Sequence, residues 1–206
     1  MSGNINKRNL QKLRSLYRRY APKDLYYKIK EKLAAPYQDY GQTYQSFLPT
    51  AEELCDQRTR SFPYAPLVSI VVPAFETDEI FLRQMIDSVA AQTYPNWELC
   101  VADGSSSEKV RQAIARHYSA EPRVKYRKLE RNAGISENTN QGFAMAEGEY
   151  IGLLDHDDLL VPSALYEMVK RINDTGADML YSDEDKLDMD GDELFDPHFK
   201  PDYNPD

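Results

Sequence analysis

Asp155, His156, Asp157 and Asp158 crowd three carboxylates into four residues, directly after the apolar run Tyr150 to Leu154. Like charges this close repel one another at neutral pH, and a cation or a helix N-terminus relieves the repulsion. Hard carboxylate oxygens suit Mg²⁺ or Mn²⁺, ions that keep several waters and share the phosphates of a substrate. The competing reading is a helix start, with Asp157 or Asp158 capping a helix that begins near Pro162. The apolar strand before the triplet and Leu159-Leu160 after it favour the metal.

Other chemistry-bearing residues fit known sites less well. Asp183, Glu184, Asp185, Asp188, Asp190, Asp192 and Glu193 form a second acidic run. With Gly191 in the sixth place, a calcium loop would begin at Lys186 and end at Pro197, so its acidic ends are missing. A solvated hairpin about Asp190-Gly191 fits better, although Asp183 to Asp185, at a strand end, could face the site. His117, His156 and His198 stand alone, which argues against zinc. No Gly-x-Gly-x-x-Gly or Walker sequence follows the first strand, and Ser105 lacks a Gly-x-Ser-x-Gly elbow. Dinucleotide, NTPase and serine-hydrolase chemistry are disfavoured on those grounds.

The elements around these residues alternate. Leu67 to Pro73 is a continuous apolar run, the pattern of a strand buried on both faces. Leu82, Met85, Ile86 and Val89 mark one face of a helix. Trp97 to Ala102 is a second strand ending in Asp103-Gly104-Ser105-Ser106, followed by a helix carrying Val110, Ala113, Ile114 and His117. Val124 to Leu129 is a third strand, Ser136 to Ala146 a helix ended by Gly148, and Tyr150 to Leu154 the fourth strand. Leu165, Met168, Val169 and Ile172 give a helix between Pro162 and Gly176, and Asp178 to Ser182 a fifth strand. Such alternation predicts an α/β fold with a mostly parallel sheet, whose ligands sit at the carboxyl ends of the strands. Pro73-Ala74-Phe75-Glu76, Asp103-Gly104-Ser105 and Asp155 to Asp158 all fall there. A receiver-like signalling domain also has acids at strand ends, but it would need a lysine where Ser182-Asp183 stands.

Charge divides the chain. Residues 1–33 hold ten Lys or Arg against Asp24 and Glu31, while the whole chain carries −9. The body is therefore strongly acidic, which disfavours a nucleic-acid partner. Leu10, Leu13, Tyr17 and Tyr20 recur at helical spacing, so residues 1–35 read as a basic helical extension. That segment could lie on an anionic membrane or pack its apolar line on protein. Residues 36–65 read as a connector with one helix near Thr50 to Arg60, opened by the capping box Thr50-Ala51-Glu52-Glu53. Residues 66–206 form the α/β domain. No signal peptide or membrane-length apolar run is visible. Cys55 and Cys100 are not spaced for a metal or a disulfide framework, which reads as free thiols in a reducing, cytoplasmic setting.

Several segments together resemble the family 2 glycosyltransferases: Val68-Ser69-Ile70-Val71-Val72-Pro73-Ala74-Phe75, Ser88 to Tyr94, and Trp97-Glu98-Leu99 with Asp103-Gly104-Ser105-Ser106. Asn132-Ala133-Gly134-Ile135-Ser136 with Asn140 follows, then Ala146 to Tyr150 leading into Leu154 to Asp158. Tyr181 to Lys186 and Phe199 to Asp202 look like a bacterial subgroup that builds surface polysaccharides. The resemblance implies a Rossmann-like GT-A nucleotide-binding half and inverting transfer from a UDP- or dTDP-sugar to a glycan or lipid-linked acceptor. It implies that Pro73 and Phe75 hold the base and that Asp103 accepts its imide N–H. Asp155 would contact the ribose and help hold Mn²⁺ or Mg²⁺, and Asp157 would ligate that ion. Glu76, Gly134, Ser136 and His156 join the implied donor site, although Glu76 stands where a small polar residue is common and Ala102 replaces a frequent acid. The family's catalytic base lies well downstream of the metal motif, so it is expected beyond Asp206. A chain without it would be a non-catalytic fragment that binds nucleotide and metal, the alternative to the enzyme.

Overall fold

The computed structural model describes residue 44, residues 46–187 and residues 194–202. The chain divides into two compact units, residues 49–182 and residues 1–48 with 183–206. The basic extension and the Asp190-Gly191 turn lie outside the described residues. Among the described residues, no helix is long and apolar enough to cross a membrane.

The larger unit opens with α1 (Ala51–Thr59). Its expected capping box is present: Thr50 Oγ1 accepts from Glu53 N at 3.2 Å, and Thr50 N donates to Glu53 Oε2 at 2.7 Å. The sheet follows as β1 (Val68–Ala74), α2 (Glu79–Ala90), β2 (Trp97–Asp103), α3 (Lys109–His117), β3 (Val124–Lys128), α4 (Ile135–Phe143), β4 (Tyr150–Leu153) and α5 (Ala164–Thr175). The four strands run in the order β3-β2-β1-β4, every pair parallel. The continuous apolar runs explain the centre of the sheet, since β1 and β2 are buried along their whole length. Ile70, Val72, Leu99 and Val101 share one face with Leu82, Met85, Ile86 and Val89 of α2, Val110 and Ala113 of α3, and Leu165 and Val169 of α5.

α4 covers the opposite face, and Gly142 sets how closely it approaches. A Cβ at Gly142 would lie 2.4 Å from Val71 Cγ1 and 3.9 Å from Ala102 Cβ. Alanine favours a helix over glycine by about 1 kcal/mol, but Val71 is fully buried and has nowhere to yield. The overlap therefore wins, and Gly142→Ala is expected to lose about 1–2 kcal/mol of stability. Urea unfolding followed by fluorescence of Trp97, the sole tryptophan, measures it. A gain in stability would mean that α4 does not pack this tightly.

One expected element is absent. Residues 178–182 form no strand: Met179 is 63% exposed and Tyr181 45%, and neither joins a ladder. The next strand is β5 (Glu184–Leu187), which pairs antiparallel with β6 (Leu194–His198) in the second unit. Of the acidic run, Glu184 and Asp185 thus lie in an antiparallel pair, which is held by Lys186 with Asp196 and by Lys200 Nζ with Glu184 at 3.0 Å. Asp183 accepts from Lys200 N at 2.8 Å, so its carboxylate is engaged within that unit.

Candidate active site at the carboxyl edge of the sheet

Because β1 lies between β2 and β4, the loops leaving these strands are neighbours. Gly104 N donates to Ala74 O at 2.9 Å, and Leu154 N to Val71 O at 3.2 Å, which carries the sheet's pairing to the start of each loop. The β3–α4 loop joins them: a Cβ at Gly104 would meet Asn138 Nδ2 at 2.7 Å and Asn132 Cα at 3.4 Å. Asn138 is buried, donates to Asn132 Oδ1 at 2.9 Å and accepts from Ala133 N at 3.2 Å. Those bonds fix Gly134, the N-cap of α4, and place exposed Ser136 in its first turn.

The β1 loop divides its residues. Pro73 is buried inside the strand, so its contribution to a ligand is restricted to backbone, while Phe75 is 47% exposed and presents an open ring. Glu76 is exposed, but its carboxylate is taken up by the neighbouring loop. Its Oε1 accepts from Ser106 N at 2.8 Å, Ser106 Oγ at 2.8 Å and Ser107 N at 3.0 Å, and its Oε2 from Ser107 Oγ at 2.6 Å. The hydrogen bond from the Ser107 hydroxyl, followed by those from Ser106 and the loop amides, lowers the Glu76 carboxyl to about 2. A carboxylate whose pKa is depressed keeps these bonds above the ordinary carboxylate range and loses them only as pH falls through about 2.

Asp103 sits beneath the β2 loop with no exposed surface. Its Oδ1 accepts from Ser105 N at 2.9 Å, and its Oδ2 from Tyr126 Oη at 2.7 Å and Lys128 Nζ at 3.1 Å. Burial, and then the Asp103 carboxylate, raise the Tyr126 hydroxyl well above its ordinary value. Lys128 Nζ also donates to Ser107 O at 2.6 Å. In this structure Asp103 serves the loop from within. Tyr126 and Lys128 were absent from the sequence-based site. Both stand beside the end of β2 through the parallel register, which sets Lys128 opposite Asp103 and Tyr126 opposite Val101.

The acidic loop is the open part of the edge. Asp155 and Asp157 are exposed, and Asp158 N donates to Asp155 O at 3.2 Å, closing a turn. The helix-cap reading fails, because α5 begins at Ala164 with Ser163 as its N-cap. Asp157 Oδ1 lies 3.7 Å from His156 Nδ1, and among the described residues no basic side chain forms a salt bridge with Asp155. The chain after the turn is stapled down: Leu160 N donates to Ser88 Oγ at 3.2 Å, Gln92 Nε2 to Val161 O at 2.8 Å, Thr93 N to Pro162 O at 2.9 Å, and Leu165 N to Gln92 Oε1 at 2.9 Å. The Ser88 to Tyr94 motif is thus a brace for the acidic loop. No group of three or more metal-capable side chains is assembled among the described residues. Two open carboxylates on a braced turn still match an ion that takes one or two protein oxygens and fills its shell with water and phosphate.

Cys100 is buried and Cys55 exposed, both free thiols as expected. Burial, with Glu98 nearby, pushes the Cys100 thiol up to about 11, so it is inert.

The family model described as Glycosyl transferase family 2 matches residues 69–201. An uncharacterised protein of Sinorhizobium fredii is 44% identical over 149 residues, 71% of this chain and 16% of its own length. An O-antigen biosynthesis protein of Myxococcus xanthus is 35% identical over 143 residues, 68% of this chain and 11% of its own. The chain therefore spans less than a fifth of the length of these curated relatives. The structure of S. aureus TarS 1–349 in complex with UDP is 26% identical at a TM-score of 0.49, covering 54% of this chain and 33% of that one. By the match across its sheet, its acidic loop and the segment beyond them, the chain belongs to glycosyl transferase family 2.

Proposed function

We propose that this chain supplies the donor side of an inverting glycosyltransferase that uses a UDP- or dTDP-sugar to extend a bacterial surface glycan. One observation carries the reading: the open carboxylates of Asp155 and Asp157 share the carboxyl edge of a parallel sheet with exposed Phe75. Ligands of open α/β sheets bind at that edge. Phe75 would stack on the base, backbone at Pro73 would border it, and Asp103 with its serine loop would shape the nucleoside pocket. Gly134 and Ser136, at the N-terminus of α4, and His156 would flank the sugar and phosphates. Asp155 and Asp157 would hold Mn²⁺ or Mg²⁺, which supplies positive charge for the departing nucleoside diphosphate. Inversion needs a single displacement, in which the acceptor hydroxyl attacks the anomeric carbon as the glycosidic bond to phosphate breaks. No residue of this chain is assigned as the base for that hydroxyl. A lipid-linked acceptor would lie at the cytoplasmic face of a membrane, where the +8 of residues 1–33 would favour anionic lipid by roughly 1 kcal/mol per basic residue near the surface.

Thermal unfolding with a nucleotide panel tests the donor class. With Mn²⁺, UDP or dTDP at about 100 times its Kd should stabilise the protein by about 2.7 kcal/mol, and GDP or ADP should do less. Stabilisation by purine nucleotides alone would overturn the pyrimidine assignment. A sugar-transfer assay beside it separates an enzyme from a module that only binds.

A further inference from the structure

We propose that Glu76 is a positioning residue of the donor pocket: it clamps the loop Ser105 to Ser107 against the end of β1 and so holds the pocket wall in its binding shape. The proposal rests on the donor reading above and gives Glu76 a different task from touching the donor. Glu76 has a φ of 49°, a left-handed backbone that non-glycine residues seldom adopt. Strain of this kind persists where surrounding contacts over-determine it, and here the contacts are on both sides of the residue. Its own N–H donates to Ser105 Oγ at 2.7 Å, and Ser105 is 4% exposed. Its carboxylate then takes two consecutive backbone N–H groups and both hydroxyls of Ser106 and Ser107. Every carboxylate oxygen is thereby engaged by the loop. Lys128 grips the same loop from the other side, through Ser107 O at 2.6 Å and Asp103 at 3.1 Å. A loop held at both sides does not have to be ordered by the ligand, and that cost is removed from binding.

The test compares the full chain with Glu76→Ala and Glu76→Gln, using amide hydrogen exchange and calorimetric titration of UDP with Mn²⁺. Glu76→Ala should speed exchange at the Ser106 and Ser107 amides and weaken UDP about tenfold, with the Trp97-monitored unfolding midpoint preserved. Glu76→Gln keeps a carbonyl oxygen for the two N–H groups and should recover most of both properties. Wild-type exchange at Ser106 and Ser107 in Glu76→Ala would overturn the clamp. Faster exchange with unchanged UDP affinity would overturn its role in the pocket. The wild-type titration, done first, tells the two readings apart. A wild type that binds no nucleotide sinks the donor reading, and the exchange rates then judge the clamp alone.

Discussion

Lys128→Ala is expected to cost about 3 kcal/mol or more, because it strips the cation from a carboxylate that has no exposed surface. Asp103 would keep Tyr126 Oη at 2.7 Å and Ser105 N at 2.9 Å, but it would hold a buried charge without a counter-ion. A second bond falls with the first, since Lys128 also ties Ser107 O. Urea unfolding monitored at Trp97 gives the number, and Trp97 lies at the start of β2, the strand that ends at Asp103. A double-mutant cycle with Asp103→Asn isolates the pair. Coupling of about 0.5–3 kcal/mol is the range for contacting residues. A loss under about 0.5 kcal/mol in the single variant would show that Asp103 does not depend on Lys128.

The second large effect lies in binding. Asp157→Ala should weaken Mn²⁺-dependent UDP binding by about 100-fold or more, equivalent to about 2.8 kcal/mol. The fold should not suffer: the Asp157 side chain is 59% exposed, and its removal relieves repulsion within the acidic turn. Stability equal to or slightly above wild type, together with lost affinity, marks a ligand-binding residue. Unchanged affinity in this variant would remove Asp157 from the site.

These two residues show what a sequence reader could and could not see. Asp157 stands out in the sequence because three carboxylates within four residues after an apolar strand have no cheap structural explanation, and Asp155 and Asp157 are exposed in the structure. Lys128 does not. It is one polar residue in the run Val124 to Lys128, and its meaning depends on the β2–β3 register that sets it opposite Asp103. Register is a property of two strands at once, so neither strand's sequence declares it. Glu76 and the three serines are separated by about thirty residues and meet because β1 and β2 are neighbours. Their composition alone reads as a turn.

The same contrast runs through the fold. β1 and β2 announce themselves by unbroken apolar runs, since both faces are covered. The faces of α2 and α5 are set by residues at three- and four-residue spacing, and Leu82, Met85, Ile86, Val89, Leu165, Val169 and Ile172 are all buried as that spacing predicts. Met179-Leu180-Tyr181 has strand composition too, yet a strand also needs a neighbour to bond with, and these residues have none in a ladder. Apolar composition without a neighbouring strand secures neither pairing nor burial, and Met179 is 63% and Tyr181 45% exposed.

The proposed donor site requires the carboxyl edge of this sheet to bind a nucleoside diphosphate through a divalent ion. Calorimetric titration of UDP into the full chain, once with Mn²⁺ and once with EDTA, tests it most directly. Saturable binding at one site with Mn²⁺, reduced by about 100-fold or more with EDTA, is the predicted result. Equal binding in both buffers would contradict the assignment of Asp155 and Asp157 to a metal, and no binding of UDP or dTDP in either would contradict the donor site itself.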